Sequence, residues 1–222
     1  MPTVPTVPTT PTTPTNGPPA VLAHGVALLE RAVAYTLGSL QLATPDVLAD
    51  ATPCAEWDLR ALLLHMNESL LALHEAVAVG HLELDPTHDK SDADADDPVL
   101  DPVAALRDRA GRMVAAWISP RAPGVVSVAD RCVPAEVVAA AGAVEVAVHG
   151  WDVAAACGVD RPVPAPLAHH LLDLCGFFVD DTDRPHRFGP VVATAAAADP
   201  STRLLAHLGR VSGAHRGTRR PT

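Results

Sequence analysis

Two side chains capable of acid–base or metal chemistry lie four residues apart in an otherwise apolar stretch of the chain. Glu145 and His149 share one face of a predicted helix whose other residues are mostly Ala, Val and Gly. A carboxylate buried there without compensation would cost several kcal/mol, so it needs a base, a helix partner or a metal ion. The pair could ligate a cation or could only hold helices together, and this segment alone leaves both interpretations open.

A third polar residue, His65, lies among leucines in the segment ALLLHMNESLL. A lone histidine on an apolar helix is more often a core residue than a ligand. Together, however, His65, Glu145 and His149 would supply two imidazoles and one carboxylate. This donor set fits an open site for zinc or another divalent metal, with positions left for water or substrate. The sequence has no nucleotide-binding, GxSxG or HExxH motif.

The four cysteines are far apart and show no CxxC spacing (Cys54, Cys132, Cys157 and Cys175). That distribution is typical of reduced thiols rather than of a disulfide framework, and it favours a cytoplasmic protein. Cys54 follows a proline just before a predicted helix, but no base can be assigned to it. We therefore interpret it as a packed thiol rather than a nucleophile.

Five segments have the three- and four-residue apolar spacing of helices, and these must position the polar residues. They run from about Val21 to Leu42, Trp57 to Gly80, Pro98 to Trp117, Pro134 to Cys157 and Pro166 to Val179. His65 falls in the second segment, and the Glu145–His149 pair falls in the fourth. Shorter signals predict an extended piece at Val125–Val128, a strand in FGPVVAT (188–194) and a helical turn or two at Ser201–Leu208.

Composition favours an all-α fold. Hydrophobic residues make up 48% of the 222 residues but aromatics only 3%, so the core must be built from Ala, Val and Leu. Such residues suit closely packed helices better than a β-sandwich. Four long helices predict an up-and-down four-helix bundle with a short irregular C-terminal extension, an architecture that often holds metals between facing helices.

Three polar segments flank or interrupt the predicted bundle. Residues 1–20 are rich in Pro and Thr and predict a disordered tail, and residues 211–222 predict another, which leaves 21–210 for the bundle. Residues 83–101 hold eight acids and one lysine, which predict a mobile loop. The acids alternate as early calcium ligands would, but the central glycine and closing glutamate of a calcium loop are missing.

The charge balance excludes two classes of partner. The chain has 16 basic and 26 acidic residues, a formal net charge of −10. Sequence-independent nucleic-acid binding and attachment to anionic lipid both need a cationic surface. No segment has the roughly 18 uninterrupted apolar residues of a membrane span, and the N-terminus lacks the features of a secretory signal. We expect neither nucleic acid nor membrane as a partner.

Two motifs resemble those of a known bacterial family. Residues 52–65, TPCAEWDLRALLLH, resemble the signature TPCxxWDVRxLxxH, with leucine at position 59 in place of valine. Residues 145–154, EVAVHGWDVA, resemble the second signature, ExxxHGWDxA. Both belong to the mycothiol-dependent maleylpyruvate isomerase metal-binding domain family, within the DinB/YfiT-like superfamily. RLLAHLGR (203–210) resembles the tail of its small single-domain members.

The resemblance implies a DinB-type bundle with a divalent metal held by His65, Glu145 and His149. It further implies that Trp57 and Trp151 pack near the site and that Asp152 orients a neighbouring group.

In such enzymes the metal stabilises the thiolate of mycothiol for attack on a small electrophile. The chain would then be a mycothiol-dependent thiol transferase or isomerase-like enzyme. A non-catalytic metal-binding or stress-associated domain, and a purely structural bundle, remain as alternatives. Only 64 residues follow Gly158, too few for the isomerase's further C-terminal domain, so we do not expect maleylpyruvate isomerisation. A homodimer is the commonest assembly if one forms.

Overall fold

The computed structural model describes residues 20–54, 57–82, 101–184 and 188–211. The predictions of an N-terminal tail, of an acidic loop and of a C-terminal tail therefore concern residues that lie almost entirely outside the described part of the chain.

The described residues form six α-helices and three short strands, with 3-10 turns at Ala20–His24, Pro45–Val47 and Asp181–Asp183. The helices are α1 (Gly25–Ser39), α2 (Leu59–Val79), α3 (Pro102–Trp117), α4 (Ala135–Ala156), α5 (Ala165–Phe178) and α6 (Pro200–His207). The strands are β1 (His81–Leu82), β2 (Val125–Val128) and β3 (Arg131–Pro134). The fold is mostly helical, as predicted, with a small sheet that the all-α expectation did not include.

The four long helices surround the hydrophobic core. Helix α4 packs along α1 and also against α2, while α3 packs against α2 and α1. Each of α1, α2 and α3 contributes fully buried leucines to this core, among them Leu29, Leu62 and Leu106. Helix α4 is the most enclosed, with 17 of its 22 residues buried, because it has neighbours on several sides.

Local sequence determines where α2 and α3 begin. The Asp58 carboxylate accepts a hydrogen bond from the Ala61 amide at 2.8 Å, and Gly80 ends α2 with a φ of 77°. The Asp101 carboxylate accepts from the second and third residues of α3, and proline occupies the first position of that helix. Helix α3 therefore begins at Pro102 and not at Pro98 as the apolar spacing suggested.

Helices α1 and α4 approach each other closely around Gly150. The Thr36 hydroxyl donates to the Val146 carbonyl at 2.8 Å, linking the two helices. A Cβ at Gly150 would lie 2.3 Å from Oγ1 of Thr36 and 3.1 Å from its Cα, so there is no room for a side chain. This close approach fixes the position of α4, which carries two of the predicted ligands.

The sheet has the order β1-β2-β3. β1 pairs with β2 in parallel, with His81 opposite Ser127, and β2 pairs with β3 as an antiparallel hairpin. The two turn residues of this hairpin, Ala129 and Asp130, both have positive φ, as tight hairpins require. The extended piece predicted at Val125–Val128 is confirmed as β2.

The strand predicted in FGPVVAT (188–194) is wrong. These residues form no strand, and the Val192 amide donates instead to the Ala206 carbonyl at 2.9 Å, near the end of α6. The short helix predicted at Ser201–Leu208 is confirmed as α6, with the Asp199 carboxylate capping it through the Thr202 amide.

Helix α4 is long and apolar enough to cross a membrane by length and composition, alone among the described helices in this respect. However, 83% of its apolar window is buried inside the protein, which is the property of a core helix.

Candidate metal centre

The three predicted ligands converge at the α2–α4 interface. Nε2 of His65 lies 2.8 Å from Oε1 of Glu145, and Nε2 of His149 lies 3.1 Å from the same oxygen. One ligand atom from each of the three residues lies within 4.8 Å of the others. Two imidazole nitrogens and a carboxylate oxygen facing one another form a donor set that suits zinc and similar divalent cations.

The site is open on one side. His149 is buried, but the side chains of Glu145 and His65 are 34% and 33% exposed. The apolar sequence of this segment predicted a helix with almost no solvated face, and most of α4 is indeed buried, but Glu145 itself lies on the small part that is exposed. A carboxylate that keeps part of its hydration and contacts two imidazoles avoids the cost of full burial. The exposed parts of Glu145 and His65 are accessible to solvent.

Asp152 fixes the orientation of the His149 ring. Its Oδ2 lies 2.9 Å from Nδ1 of His149, and Asp152 itself is fully buried. An ionised carboxylate can only accept a hydrogen bond, so Nδ1 carries a proton, and Nε2 is the nitrogen that faces Glu145. This is the orienting role that the family resemblance implied for Asp152, and it leaves Nε2 free to ligate a metal.

Asp152 is in turn held by Arg210, from beyond α6. Nε of Arg210 donates to Oδ1 at 3.1 Å, and Nη2 donates to Oδ2 at 2.8 Å. Burial alone would raise the pKa of Asp152, but the Arg210 guanidinium and the His149 ring outweigh it and lower that pKa to about 2. The same pairing raises the pKa of Arg210 although burial opposes it.

Charge pairing also governs Glu145 and His149. Burial disfavours the charged form of both groups, but their mutual attraction is stronger. It holds the pKa of Glu145 well below its ordinary value and that of His149 well above. Without a cation the two residues therefore form a carboxylate–imidazolium pair. A metal bound at Nε2 would displace that proton, so binding is expected to weaken as the pH falls.

Trp57 covers the imidazoles from the segment before α2. Its ring centroid lies 4.5 Å from that of His65 and 6.2 Å from that of His149. The packing of Trp57 near the site is thus confirmed. Trp151 is buried in the core, and among the described rings it makes no contact with these histidines.

Cys54 forms a second possible ligand group with His149 and Asp152. Its Sγ lies 3.5 Å from Oδ2 of Asp152 and 3.6 Å from Nη2 of Arg210. The Arg210 cation already compensates Asp152, and Nδ1 of His149 already bonds to that carboxylate. A metal ion placed there would be repelled by the guanidinium, so the group containing His65 is the better cation site.

A small cavity adjoins the buried side of the site. Glu145 and His149 line one end, and the rest of the wall is mainly apolar, including Val33, Met66 and Leu106 from α1, α2 and α3. Its free volume is about 10 Å³, which accommodates about one water molecule. The site therefore lies between solvent and an apolar interior.

Sequence reasoning missed the positions of Cys54 and Arg210 in this cluster. Cys54 is half-buried, as expected of a packed thiol. Its two neighbours in the cluster, Asp152 and Arg210, lie 98 and 156 residues away from it along the chain. The one available signal was the terminal motif RLLAHLGR, whose last residue is Arg210. Residue spacing gives no information on contacts over such separations.

The structure thus defines a mainly helical protein with a possible metal site built from two helices. The family model described as mycothiol maleylpyruvate isomerase N-terminal domain matches residues 29–154, and the chain belongs to this family. The matched range contains His65, Glu145, His149 and Asp152 but ends before Arg210. Comparison with curated proteins and with solved structures found no match.

Proposed function

We propose that the chain is a metal-dependent enzyme that transfers or uses a low-molecular-weight thiol. His65, Glu145 and His149 hold one divalent cation, most simply zinc, in a DinB-type four-helix bundle spanning residues 21–210. The observation that carries the proposal is the convergence of these three side chains around Oε1 of Glu145. The thiol is mycothiol, because the family model that matches the chain is that of a mycothiol-dependent isomerase.

The bound cation would lower the pKa of a coordinated thiol and so supply a thiolate at neutral pH. The protein residues prepare the site for this. Asp152 holds the proton on Nδ1 of His149, Glu145 supplies negative charge, and Trp57 shields the imidazoles. The exposed side of Glu145 and His65 would admit the thiol and a small electrophile. In a transferase the thiolate would displace a leaving group into solvent, and in an isomerase-like reaction it would add to a double bond and later be eliminated again.

The proposed partners are small molecules. The formal charge of −10 disfavours nucleic acid and anionic membranes as partners, and the absence of CxxC spacing favours a reducing, cytoplasmic setting. If the chain associates with itself, a homodimer is the expected form.

One alternative has a specific observation in its favour. The cavity beside Glu145 and His149 accommodates only about one water molecule, so the buried side of the site offers no ready substrate pocket. A non-catalytic metal-binding domain, for example one produced under stress, would need no such pocket.

Elemental analysis of the purified full chain tests the metal site. We expect about one zinc or similar ion per wild-type chain and almost none in His65→Ala. His169→Ala is the matched control, because that side chain is 64% exposed on α5 and its contacts among the described residues are with Asp173 and His170 of the same helix. Wild-type protein without metal, prepared at neutral pH without chelator, would exclude the proposal.

Thiol consumption then separates the two metal-binding functions. The metal-loaded protein is mixed with mycothiol and a panel of small electrophiles, and the remaining free thiol is measured. Metal-dependent consumption that His65→Ala lacks supports the enzyme. Metal binding without acceleration for any electrophile supports the non-catalytic domain instead.

A further inference from the structure

We infer that Arg210 is a positioning residue of the metal centre, supplied from outside the matched family domain. It holds Asp152 so that Nε2 of His149 points at Glu145 and His65. This inference rests on the proposed ligand set and extends it to the C-terminal segment, 56 residues beyond the end of the match at residue 154.

The geometry of the guanidinium carries the inference. Arg210 contacts both oxygens of Asp152, through Nε at 3.1 Å and Nη2 at 2.8 Å. Two parallel bonds of this kind fix the plane of the carboxylate as well as its position. Oδ2 is also the oxygen that bonds Nδ1 of His149 at 2.9 Å. A rotation of the Asp152 carboxylate would therefore turn the His149 ring away from the other ligands.

Arg210 also connects three separate parts of the chain. Its Nη2 lies 3.6 Å from Sγ of Cys54, which precedes α2, and its Nη1 donates to the Leu208 carbonyl at 3.0 Å. The Asp152 bonds join these two segments to α4. Both charged partners are enclosed, with side-chain exposures of 9% for Arg210 and 0% for Asp152. Loss of Asp152 leaves Arg210 as a buried charge without its carboxylate, and loss of Arg210 leaves Asp152 with His149 as its remaining charged partner.

Arg210 is not required merely to attach the C-terminal segment. Nη2 of Arg184 donates to the His207 carbonyl at 2.8 Å, and the Arg184 guanidinium also contacts the Gly189 carbonyl. The Ser201 hydroxyl accepts from the Val163 amide at 2.9 Å, which attaches the start of α6 to the segment before α5. These contacts hold the segment by backbone groups, whereas Arg210 bonds the carboxylate behind a predicted ligand.

Zinc affinity of the full-length protein, measured by competition with a chromophoric chelator, tests the inference. We expect Arg210→Met to bind zinc about 10–100-fold more weakly than wild type, as is typical when a group behind a metal ligand is removed. Asp152→Asn should weaken zinc binding by a similar factor. The double variant should be no weaker than the weaker single variant, because both substitutions break one connection to His149.

Two further variants separate positioning from general stability. Arg184→Met removes another largely enclosed arginine, 12% exposed, from the chain after α5, and it should retain wild-type zinc affinity even if it unfolds more easily. Arg210→Lys keeps the charge but not the two-pronged geometry, and we expect zinc binding about 10-fold weaker than wild type with a folded protein. The Co²⁺-loaded forms should differ in visible absorption in the Arg210 variants and not in Arg184→Met.

The possible failures are distinct. If wild type binds neither zinc nor a similar divalent cation, the proposed function fails. If wild type binds zinc and Arg210→Met or Arg210→Lys binds it equally well, only the positioning role is overturned. The positioning role would also be overturned if Arg184→Met weakened zinc binding as much as Arg210→Met, or if the losses of zinc affinity in the double variant were additive.

Discussion

At the scale of single residues, the two nitrogens of His149 have opposite surroundings. Nε2 lies 3.1 Å from the partly hydrated Glu145 carboxylate, and Nδ1 lies 2.9 Å from the fully buried Asp152 carboxylate. The His149 imidazole therefore links Glu145, which is partly exposed to solvent, to the buried ion pair formed by Asp152 and Arg210. The acid–base properties of the buried pair consequently contribute to folding stability even without a metal.

Because of Asp152, part of the folding stability should be lost when the solution becomes acidic. Its pKa is about 2 in the folded protein against an ordinary 3.8, so its contribution is complete above about pH 4 and is lost as the pH falls toward 2. The shift corresponds to about 2 kcal/mol. Urea unfolding of chelator-treated protein between about pH 5 and about pH 2 should therefore show a loss in wild type about 2 kcal/mol larger than in Asp152→Asn. Equal losses in the two proteins would contradict this assignment.

The sequence was sufficient to predict which residues form the site, but not how those residues are arranged. Glu145, His149 and His65 stand out because each is a polar residue in an apolar helical segment, and the family motifs name the same three positions. Neither signal reveals that Glu145 stays about one-third exposed, because exposure depends on how α2 and α4 pack. Arg210 was missed because its partner lies in another element, 58 residues away.

At the scale of elements, the α1–α4 contact depends on the absence of a side chain. Gly150 directly follows His149 and lies against Thr36, whose hydroxyl bonds the Val146 carbonyl. Glycine in a helix interior is intrinsically unfavourable, so its presence here reflects the close approach of the two backbones. The helix that carries His149 is therefore positioned by a contact one residue from it.

Two glycine substitutions should have opposite effects on stability. Gly150→Ala should lower the free energy of unfolding by about 1–3 kcal/mol, because its Cβ would overlap Thr36. Gly111→Ala, in α3 with no atom within 4 Å of the new Cβ, should raise it by about 0.5–1 kcal/mol through helix propensity. Urea denaturation of both variants measures the difference. A stabilised Gly150→Ala would mean that α1 and α4 can separate without loss.

The long helices were more predictable than the short strands. The long helices follow from repeated apolar spacing, and Asp58 and Gly80 mark the ends of α2 by capping chemistry that is visible in the sequence. Of the three described strands only β2, a mainly apolar run of four residues, was predicted, because β1 and β3 span two and four residues of mixed type with no pattern to mark them. FGPVVAT has the composition of a strand, but composition does not tell whether a neighbouring strand is present to pair with it. In the structure this segment makes one backbone hydrogen bond to α6, which Val192 donates.

At the scale of the whole molecule, metal binding and folding should be coupled. The ligands come from α2 and α4, and the groups behind them come from the segment before α2 and from beyond α6. A cation held by these ligands binds only when the elements are assembled, so it should stabilise the fold as a unit.

Thermal unfolding measures this coupling. Zinc at about 100 times its dissociation constant should add about 2.7 kcal/mol to the free energy of unfolding. For a chain of this size that raises Tm by roughly 5–10 °C, and chelator should reverse the rise. His65→Ala should show little change with zinc, while the His169→Ala control should match wild type. A similar rise in His65→Ala would place the stabilising metal elsewhere in the protein.

The enclosure of α4 has a consequence for how this sequence can vary. Most helices of a globular protein keep an outer face on which substitutions are nearly neutral, and α3 does so, with buried residues recurring every three or four positions. In α4, 17 of 22 residues are buried, and the partly exposed ones include Glu145 itself. Helix α4 therefore has almost no neutral positions, so an alignment of functional variants should show it as a nearly continuous block of small apolar residues.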